Sequence, residues 1–126
     1  MIIETVFDKV DEILTSTGIE VCVGYAEQDK LPRQGIVNLL PIPSSYNNRT
    51  GISYDLFQVD IWHEDIYKIE EVKTILKQEL SEHSETSSTG IGLVFFIEND
   101  NGVLREQEDE IWHGIMTIGV RYAIRN

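Results

Sequence analysis

Cysteine, cationic side chains and long apolar runs are scarce in this sequence of 126 residues. Its one cysteine, Cys22, excludes an internal disulfide and cannot build a cysteine zinc cluster alone. Ten Lys and Arg stand against 22 Asp and Glu, and the net charge of −12 repels phosphate, which disfavours a surface that grips nucleic acid. No stretch reaches the roughly 18 apolar residues of a membrane helix, and the N-terminus lacks a secretory signal pattern. We therefore expect a cytoplasmic protein with a reduced thiol.

The composition that remains is that of a folded soluble protein, with 41% hydrophobic and 25% charged residues. The length is close to that of one domain and suffices to bury a single core without cross-links. We therefore expect one domain over residues 1–126. The acidic balance also suits a protein that lines a passage for DNA, because weak repulsion keeps the polymer from sticking.

Hydrophobic periodicity predicts two amphipathic helices and five strands. Apolar residues recur at helical spacing over 2–14 and 66–80, with Gly18 as a stop after the first helix and Asp65 as the N-cap of the second. Alternation or short apolar runs predict strands over 20–25, 36–43, 57–62, 91–98 and 112–124. The order α-β-β-β-α-β-β predicts an α+β domain, in which a mostly antiparallel sheet carries both helices on one face.

The segments between these elements are interpreted as loops. Pro41 and Pro43 make the second strand a short edge strand. Turn-forming residues predict a mobile loop over 44–51, a flexible linker over 81–90 and a solvated acidic loop over 98–110 that begins with a turn at "NDNG".

The last strand is unusually long for a domain of this size. At ~3.3 Å per residue it spans roughly 40 Å, against the ~28 Å that twice the expected radius of gyration gives. We therefore expect the strand to bend, with a bulge at Gly114 or Gly119, or to overhang and pair with a neighbouring subunit.

The dipeptide Trp-His occurs twice, in "FQVDIWHEDIYK" (57–68) and in "EIWHGI" (110–115). Trp62 is out of phase with the apolar residues of its strand, whereas Trp112 is in phase with those of its own. The two dipeptides are therefore predicted to be inequivalent and to reflect strand composition rather than a repeated site.

The sequence contains no arrangement of residues typical of a catalytic or metal-binding site. The residues that could ligate zinc or iron are His63, Glu64, Asp65, His83 and His113, but consecutive strand residues point to opposite faces and no ligand spacing is present. Cys22 has no base indicated near it, and no nucleophile elbow occurs. We therefore expect no cofactor, no metal and no enzymatic activity.

The polar face of the predicted sheet carries apolar residues as well. Trp62, Ile115 and Ala123 fall among its polar side chains, and Asp60 and Arg121 are predicted to share this face on neighbouring or near-neighbouring strands. Two interpretations stay open. Scattered exposed apolar residues are common on monomers, and a covered subunit interface with Trp62 as its anchor would look the same.

Three segments together resemble the tail terminator, or tail-completion, family of long-tailed bacteriophages. These are the N-terminal amphipathic helix, "DLFQVDIWHED" running directly into the helix "IYKIEEVKTILKQEL", and the closing strand "DEIWHGIMTIGVRYAIRN". The resemblance covers most of the chain but contains no catalytic signature, and the segments 81–90 and 98–110 have no assigned counterpart in it.

The resemblance implies assembly without chemistry. Such proteins form a hexameric ring that caps the tail tube, stops its polymerisation and presents a surface to the head connector, so the expected location is the virion, after assembly in the cytoplasm of a bacterial host. It places subunit contacts at Trp62, Ile115, Thr117 and Arg121. Contacts with the tail tube, with the connector or around the ring lumen are expected at Tyr46, Asn47, Asn48, Arg49, Glu106, Glu108 and Asp109. DNA would pass through the ring without sequence-specific binding.

Two alternatives share the same features. A different minor capsid or neck component would differ only in its partner. A small metal-dependent or hydrolytic enzyme is the alternative from another class, and a metal assay separates it.

Overall fold

The computed structural model describes residues 2–24, 35–47, 51–87, 90–106 and 110–123. Two helices, α1 (Ile2–Leu14) and α2 (Ile66–Leu80), accompany a short 3₁₀ turn, Thr15–Thr17. The strands are β1 (Glu20–Val23), β2 (Ile36–Asn47), β3 (Ile52–His63), β4 (His83–Thr86), β5 (Gly92–Glu106) and β6 (Ile111–Ala123). The predicted helix boundaries are confirmed. Gly18 ends the first helical segment in the left-handed conformation, and Asp65 caps α2 by accepting the Tyr67 N–H at 2.9 Å.

The strands form one mixed sheet in the order β1-β2-β3-β6-β5-β4. Only the β1–β2 pair is parallel among the strands described, and the other pairs are antiparallel. The α+β class and the predicted element order are confirmed, and the structure adds the short strand β4.

Both helices pack on one face of the sheet, as predicted from their apolar stripes. Val6, Val10 and Leu14 of α1 and the inward side chains of α2 meet the residues of the strands that share one phase. The strand residues of this core are Val21, Val37, Leu39, Phe57, Val59, Ile61, Leu93, Phe95, Met116, Ile118 and Val120. The alternation predicted for β3 and β6 therefore identifies the core correctly.

The predicted loops are largely strand, which corrects the sequence interpretation. β2 passes through Pro41 and continues to Asn47, because β1 pairs with it only as far as Leu39 and proline is tolerated at a free edge. A register shift between Ile42 and Ser45 marks a bulge there. The prediction of a short edge strand is therefore wrong, because β2 has 12 residues and is the second strand of the sheet, with only its part beyond Leu39 left uncovered by β1. The expected loop over 44–51 is wrong for its first four residues.

The predicted linker and acidic loop also contain strands. His83–Thr86 form β4, which pairs with the start of β5. β5 continues through the "NDNG" stretch because it pairs there with β6. Register shifts at Ile97/Asn99 and Asp100/Val103 mark bulges that accommodate the turn-forming residues within the strand. Gly102, at a φ of 92°, supplies the conformation that the second bulge needs.

The bulge expected in β6 at Gly114 or Gly119 and the expected overhang are wrong for the described residues of this strand. β6 pairs with β3 in unbroken register from Trp112 to Ala123 and with β5 on its other side, so its length is used inside the subunit. The glycines serve close packing instead. A Cβ on Gly114 would lie 2.4 Å from Ile69 Cγ2 of α2, and one on Gly119 would lie 2.2 Å from the Phe96 ring on the opposite face.

A buried ion pair fixes the bulged part of β5 to α2. The Lys73 side chain is 2% exposed, and its ammonium group donates to Asp100 Oδ1 at 2.5 Å and to the Gly102 carbonyl at 2.8 Å. Lys77 binds the second oxygen of Asp100. These hydrogen bonds, from Lys73 first and Lys77 second, hold the pKa of Asp100 well below its ordinary value.

Candidate functional site

The face of the sheet opposite the helices, called here the open face, carries the residues predicted for subunit contact. In the register of β3 and β6, Trp62 pairs with His113 and Arg121 pairs with Tyr54. Ile115 and Thr117 lie between them on β6 with the same phase, opposite Asp60 and Gln58. The structure thus brings all four predicted residues to one face, and their role in an interface stays a prediction.

Trp62 is largely buried within the subunit, with 8% of its surface exposed. Its ring stacks on His113 with centroids 3.6 Å apart and an interplanar angle of 11°, and it forms a small apolar cluster with Ile36 and Ile111. An anchor for a neighbouring subunit would present more surface, so Trp62 acts first in the packing of its own chain.

The two Trp-His dipeptides are cross-strand partners. Trp62 pairs with His113, and His63 pairs with Trp112. Because neighbouring strand residues point to opposite faces, one Trp-His contact lies on the open face and the other on the helix-covered face. The predicted inequivalence of the two tryptophans is confirmed, but reciprocal pairing of the dipeptides is a structural relation that strand composition alone did not indicate.

Asp60 is a buried carboxylate on the open face. His113 Nε2 lies 2.7 Å from Asp60 Oδ1, and the Gln58 amide donates to the same oxygen at 3.1 Å. Asp60 and Arg121 share this face on neighbouring strands, as predicted, but they lie six positions apart along β6, roughly 20 Å at the usual rise of a strand. The residue of β6 that contacts the Asp60 carboxylate is therefore His113.

A band of partly exposed apolar side chains crosses the open face. Leu40 and Ile42 of β2, Leu56 of β3 and Phe96 of β5 form this apolar band, and Ile115 of β6 lies apart from it on the same face, opposite Asp60. Ile42, Leu56 and Gly119 are successive partners across three strands, and Phe96 lies over Gly119. Leu40 is 39% exposed, and the core that both helices form with the sheet lies on the other face. The sequence pattern identified Ile115 on this face, but the four residues of the band were not predicted.

An aromatic and charged cluster borders the band at Arg121. The guanidinium carbon lies 5.4 Å from the centroid of the Phe96 ring, and Phe96 stacks with Tyr54 at 5.2 Å. The Tyr54 hydroxyl donates to Glu98 Oε2 at 2.7 Å. Burial first, and then this hydrogen bond to a carboxylate, raises the pKa of Tyr54 to about 12.

The remaining predicted contact residues are spread over other parts of the fold. The last two residues of β2, Tyr46 and Asn47, pair with the start of β3. Glu106 is the final residue of β5 and pairs with Ile111. Asn48, Arg49, Glu108 and Asp109 lie outside the described residues. The structure therefore does not test these assignments as one surface.

The candidate metal ligands are engaged in separate local contacts. His63 Nδ1 accepts the Asp65 N–H at 2.9 Å, while the Asp65 carboxylate caps α2. His83 lies on β4, with Nε2 3.4 Å from Glu85, and His113 faces Asp60. Within the described ranges, no group of three or more His, Cys, Asp or Glu side chains has the geometry to hold a metal ion.

Cys22 lacks the surroundings of a reactive thiol. Its Sγ donates to Asn38 Oδ1 at 3.3 Å, on the open face. Burial and the neighbouring carboxylate of Glu20 raise the pKa of the Cys22 thiol, which lowers the thiolate fraction that nucleophilic attack requires.

Comparison with solved structures identifies a similar fold in a chain of a gene transfer agent particle. A chain in the virion of a native gene transfer agent (GTA) particle matches with a TM-score of 0.58 at 9% sequence identity. The alignment covers 90% of this chain and 83% of that chain. No protein-family model and no curated protein sequence matches the chain. Of the helices described, none combines the length and apolar character needed to cross a bilayer.

Proposed function

We propose that this protein is a structural subunit of a phage or phage-like virion, acting as a tail terminator that forms a ring on the tail tube and joins it to the head connector. The observation that carries the proposal is the similarity to a virion chain over nearly the full length of both chains. The similarity is one of fold, and the terminator role is added by the resemblance of the three sequence segments described above.

Two features of the subunit support an assembly role. The apolar band on the open face offers an accessible surface with an aromatic and arginine border, the composition enriched at the energetic centres of protein interfaces. The net charge of −12 suits a ring through which DNA passes without adhering. The length of β6 gives no support to a ring, because that strand is fully paired within the subunit.

The test is capping of tail tubes in vitro. Purified tail tube protein from the same virus is polymerised with and without this protein, and tube lengths and ends are measured by negative-stain electron microscopy. We expect shorter tubes with a six-fold ring at one end. Tubes of unchanged length with bare ends would contradict a terminator role.

A neck or minor capsid role is the second candidate, because the matched chain comes from a whole virion particle. The two roles differ in their partner. Binding to the head connector without binding to the tail tube, measured by co-sedimentation with each assembly, would favour the neck role over the terminator role.

A further inference from the structure

The two edge strands of the sheet, β1 and β4, are both four residues long but differ in character. The side chains of β4 are all polar, and Glu85 among them pairs with Lys9 of α1, with Nζ 3.2 Å from the carboxylate. β1, with the sequence EVCV, carries two valines and has no proline, lysine or bulge, which are features by which edge strands avoid pairing. The free parts of β2 and β5, in contrast, contain Pro41 and register shifts. Among the described strands, β1 is therefore the edge most open to an added strand.

The main chain of β1 offers hydrogen-bonding groups on its outer side. The Gly24 N–H donates to the Leu39 carbonyl of β2 at 2.9 Å. Because the main-chain groups of successive strand residues point to opposite sides, the N–H and C=O groups of Val21 and Val23 point away from β2, where no described strand lies. The outer side of β1 thus presents two donors and two acceptors to an added strand.

An apolar groove of about 400 Å³ lies between this edge and helix α1. Its lining includes Ile3 and Phe7 of α1 and Val21 and Val23 of β1. Val21 belongs to the core, whereas Val23, in the same phase, is 43% exposed. Neighbouring residues on paired strands point to the same face, so a residue that pairs beside Val21 or Val23 would direct its side chain into this groove.

Carboxylates border the groove at two places. Glu4 of α1 belongs to its lining, and Glu20 begins β1. Both side chains are exposed, and neither forms an ion pair with a Lys or Arg among the described residues. A ligand with Lys or Arg beside its apolar residues therefore has the complementary charge.

We propose that β1 and the groove beside it bind an extended segment of another protein, with apolar side chains at alternate positions and Lys or Arg next to them. Hydrogen bonds to the main chain of Val21 and Val23 supply affinity, and the groove selects the apolar side chains, which is the usual division in recognition by strand addition. The described strands of this chain are all paired within its own sheet, so the segment is assigned to a different protein. The inference goes beyond the proposed function and does not depend on it.

Binding of a synthetic peptide to the folded protein tests the proposal. The probe is Lys-Thr-Val-Thr-Val-Thr-Lys with a fluorescent label, and the same peptide with Glu at both ends is its control. Val23→Pro removes one outward N–H and leaves the pairing with β2 in place, because proline is accepted where its position faces away from the sheet. Val23→Thr, the matched control, keeps the N–H and a branched side chain. Circular dichroism verifies that each variant is folded.

A pair of double variants tests the charge of the groove. Glu4→Lys/Glu20→Lys reverses the two bordering carboxylates. Glu70→Lys/Glu79→Lys changes the net charge by the same amount at exposed positions of α2 and is the matched control. Affinities are measured by fluorescence polarisation at low salt, and sedimentation of the protein alone reports its own association.

We expect the Lys-ended peptide to bind wild type and Val23→Thr with similar affinity, and Val23→Pro about tenfold more weakly, the effect of losing one main-chain hydrogen bond. Glu4→Lys/Glu20→Lys should bind it about fivefold more weakly and should prefer the Glu-ended peptide, whereas Glu70→Lys/Glu79→Lys should bind like wild type.

Three results would overturn the inference. These are no binding of the Lys-ended peptide to wild type, equal binding by Val23→Pro and Val23→Thr, and equal binding by the two double variants. Peptide binding that falls as the protein self-associates would show that a second copy occupies the groove, and this would also overturn it. The capping of tail tubes tests the proposed function separately, because that assay contains no peptide.

Discussion

The two faces of the sheet use the same strands in different ways. On the helix-covered face, Phe57, Val59 and Ile61 of β3 are excluded from solvent by α1 and α2. On the open face, the same strand contributes Leu56, which is partly exposed, and Asp60, a buried carboxylate with a histidine partner. Burial of apolar surface drives folding, so the helix-covered face supplies most of the stability. The open face is therefore freer to carry contacts that serve assembly.

The largest contrast is expected between two adjacent residues of β3. Phe57→Ala removes a fully buried ring and should lower the free energy of unfolding by about 3–5 kcal/mol. Leu56→Ala, the matched control, removes a partly exposed side chain from the apolar band and should cost about 1 kcal/mol. Urea denaturation measures both values. Equal losses would mean that the open face is as much a part of the core as the helix-covered face.

Breaking the buried ion pair is expected to have the next largest effect. Asp100→Asn leaves the Lys73 ammonium group buried without its carboxylate and should cost about 3 kcal/mol, whereas Lys77→Met removes an exposed partner and should cost about 1 kcal/mol or less. The charged form of Asp100 is favoured in the folded state, so its contribution is present above the unfolded pKa of about 3.9 and is lost as the pH falls below it.

The difference between wild type and Asp100→Asn should accordingly shrink in urea denaturation as the pH is lowered from 7 toward 3. A difference that stays constant over this range would show that the Asp100 carboxylate does not stabilise the fold through its charge.

The same substitution at the two glycines of β6 compares how tightly the two faces of the sheet are packed. Gly114→Ala places a methyl group against Ile69 in the packed core and should cost about 1–3 kcal/mol. Gly119→Ala meets only the partly exposed ring of Phe96, which can move, and removal of a glycine from a strand offsets part of the strain, so a change below about 1 kcal/mol is expected. Thermal unfolding of the two variants shows which substitution causes the larger loss of stability. A larger loss at Gly119 would reverse the assignment of rigid and adaptable faces.

The smallest effect on stability is expected from two tyrosines, one on each face of the sheet. For these residues we expect no difference between the two faces. Burial and a hydrogen bond to a carboxylate, Glu98 for Tyr54 and Asp55 for Tyr122, raise the pKa of each phenol to about 12. Because the pKa of each tyrosine is higher in the folded state than in the unfolded state, the protonated phenol contributes stability below the ordinary pKa near 10. This contribution is lost as the pH rises toward 12. Ultraviolet titration should resolve a late-ionising phase that Tyr54→Phe and Tyr122→Phe each reduce. An unchanged phase in both variants would refute the assignment.

Local pattern predicted the core but not the limits of the sheet. The phases of β3 and β6 follow from alternation, so the opposite placement of Trp62 and Trp112 could be predicted. The continuation of β5 through Asn99–Gly102 could not, because turn-forming residues favour a turn locally and only pairing with the distant strand β6 keeps them in a bulged strand.

The apolar band was only partly predictable for a related reason. Leu56 directly precedes the core residue Phe57, and its phase places it on the polar face, a signal that was present in the sequence. Phe96 lies in a continuous apolar run, from which the phase of a strand cannot be determined. Leu40 and Ile42 lie next to prolines, where the predicted strand was expected to end.

The proposed terminator ring is tested most directly by the mass of the complex that the protein forms with the end of a tail tube. Mass photometry and cryo-electron microscopy of capped tubes would give the number of copies and the surface by which they meet. We expect a closed ring of six subunits, with six times the subunit mass of 14.4 kDa and with the open face of each subunit covered by its neighbour. A single copy per tube end, or a ring in which the apolar band and Arg121 face solvent, would contradict it.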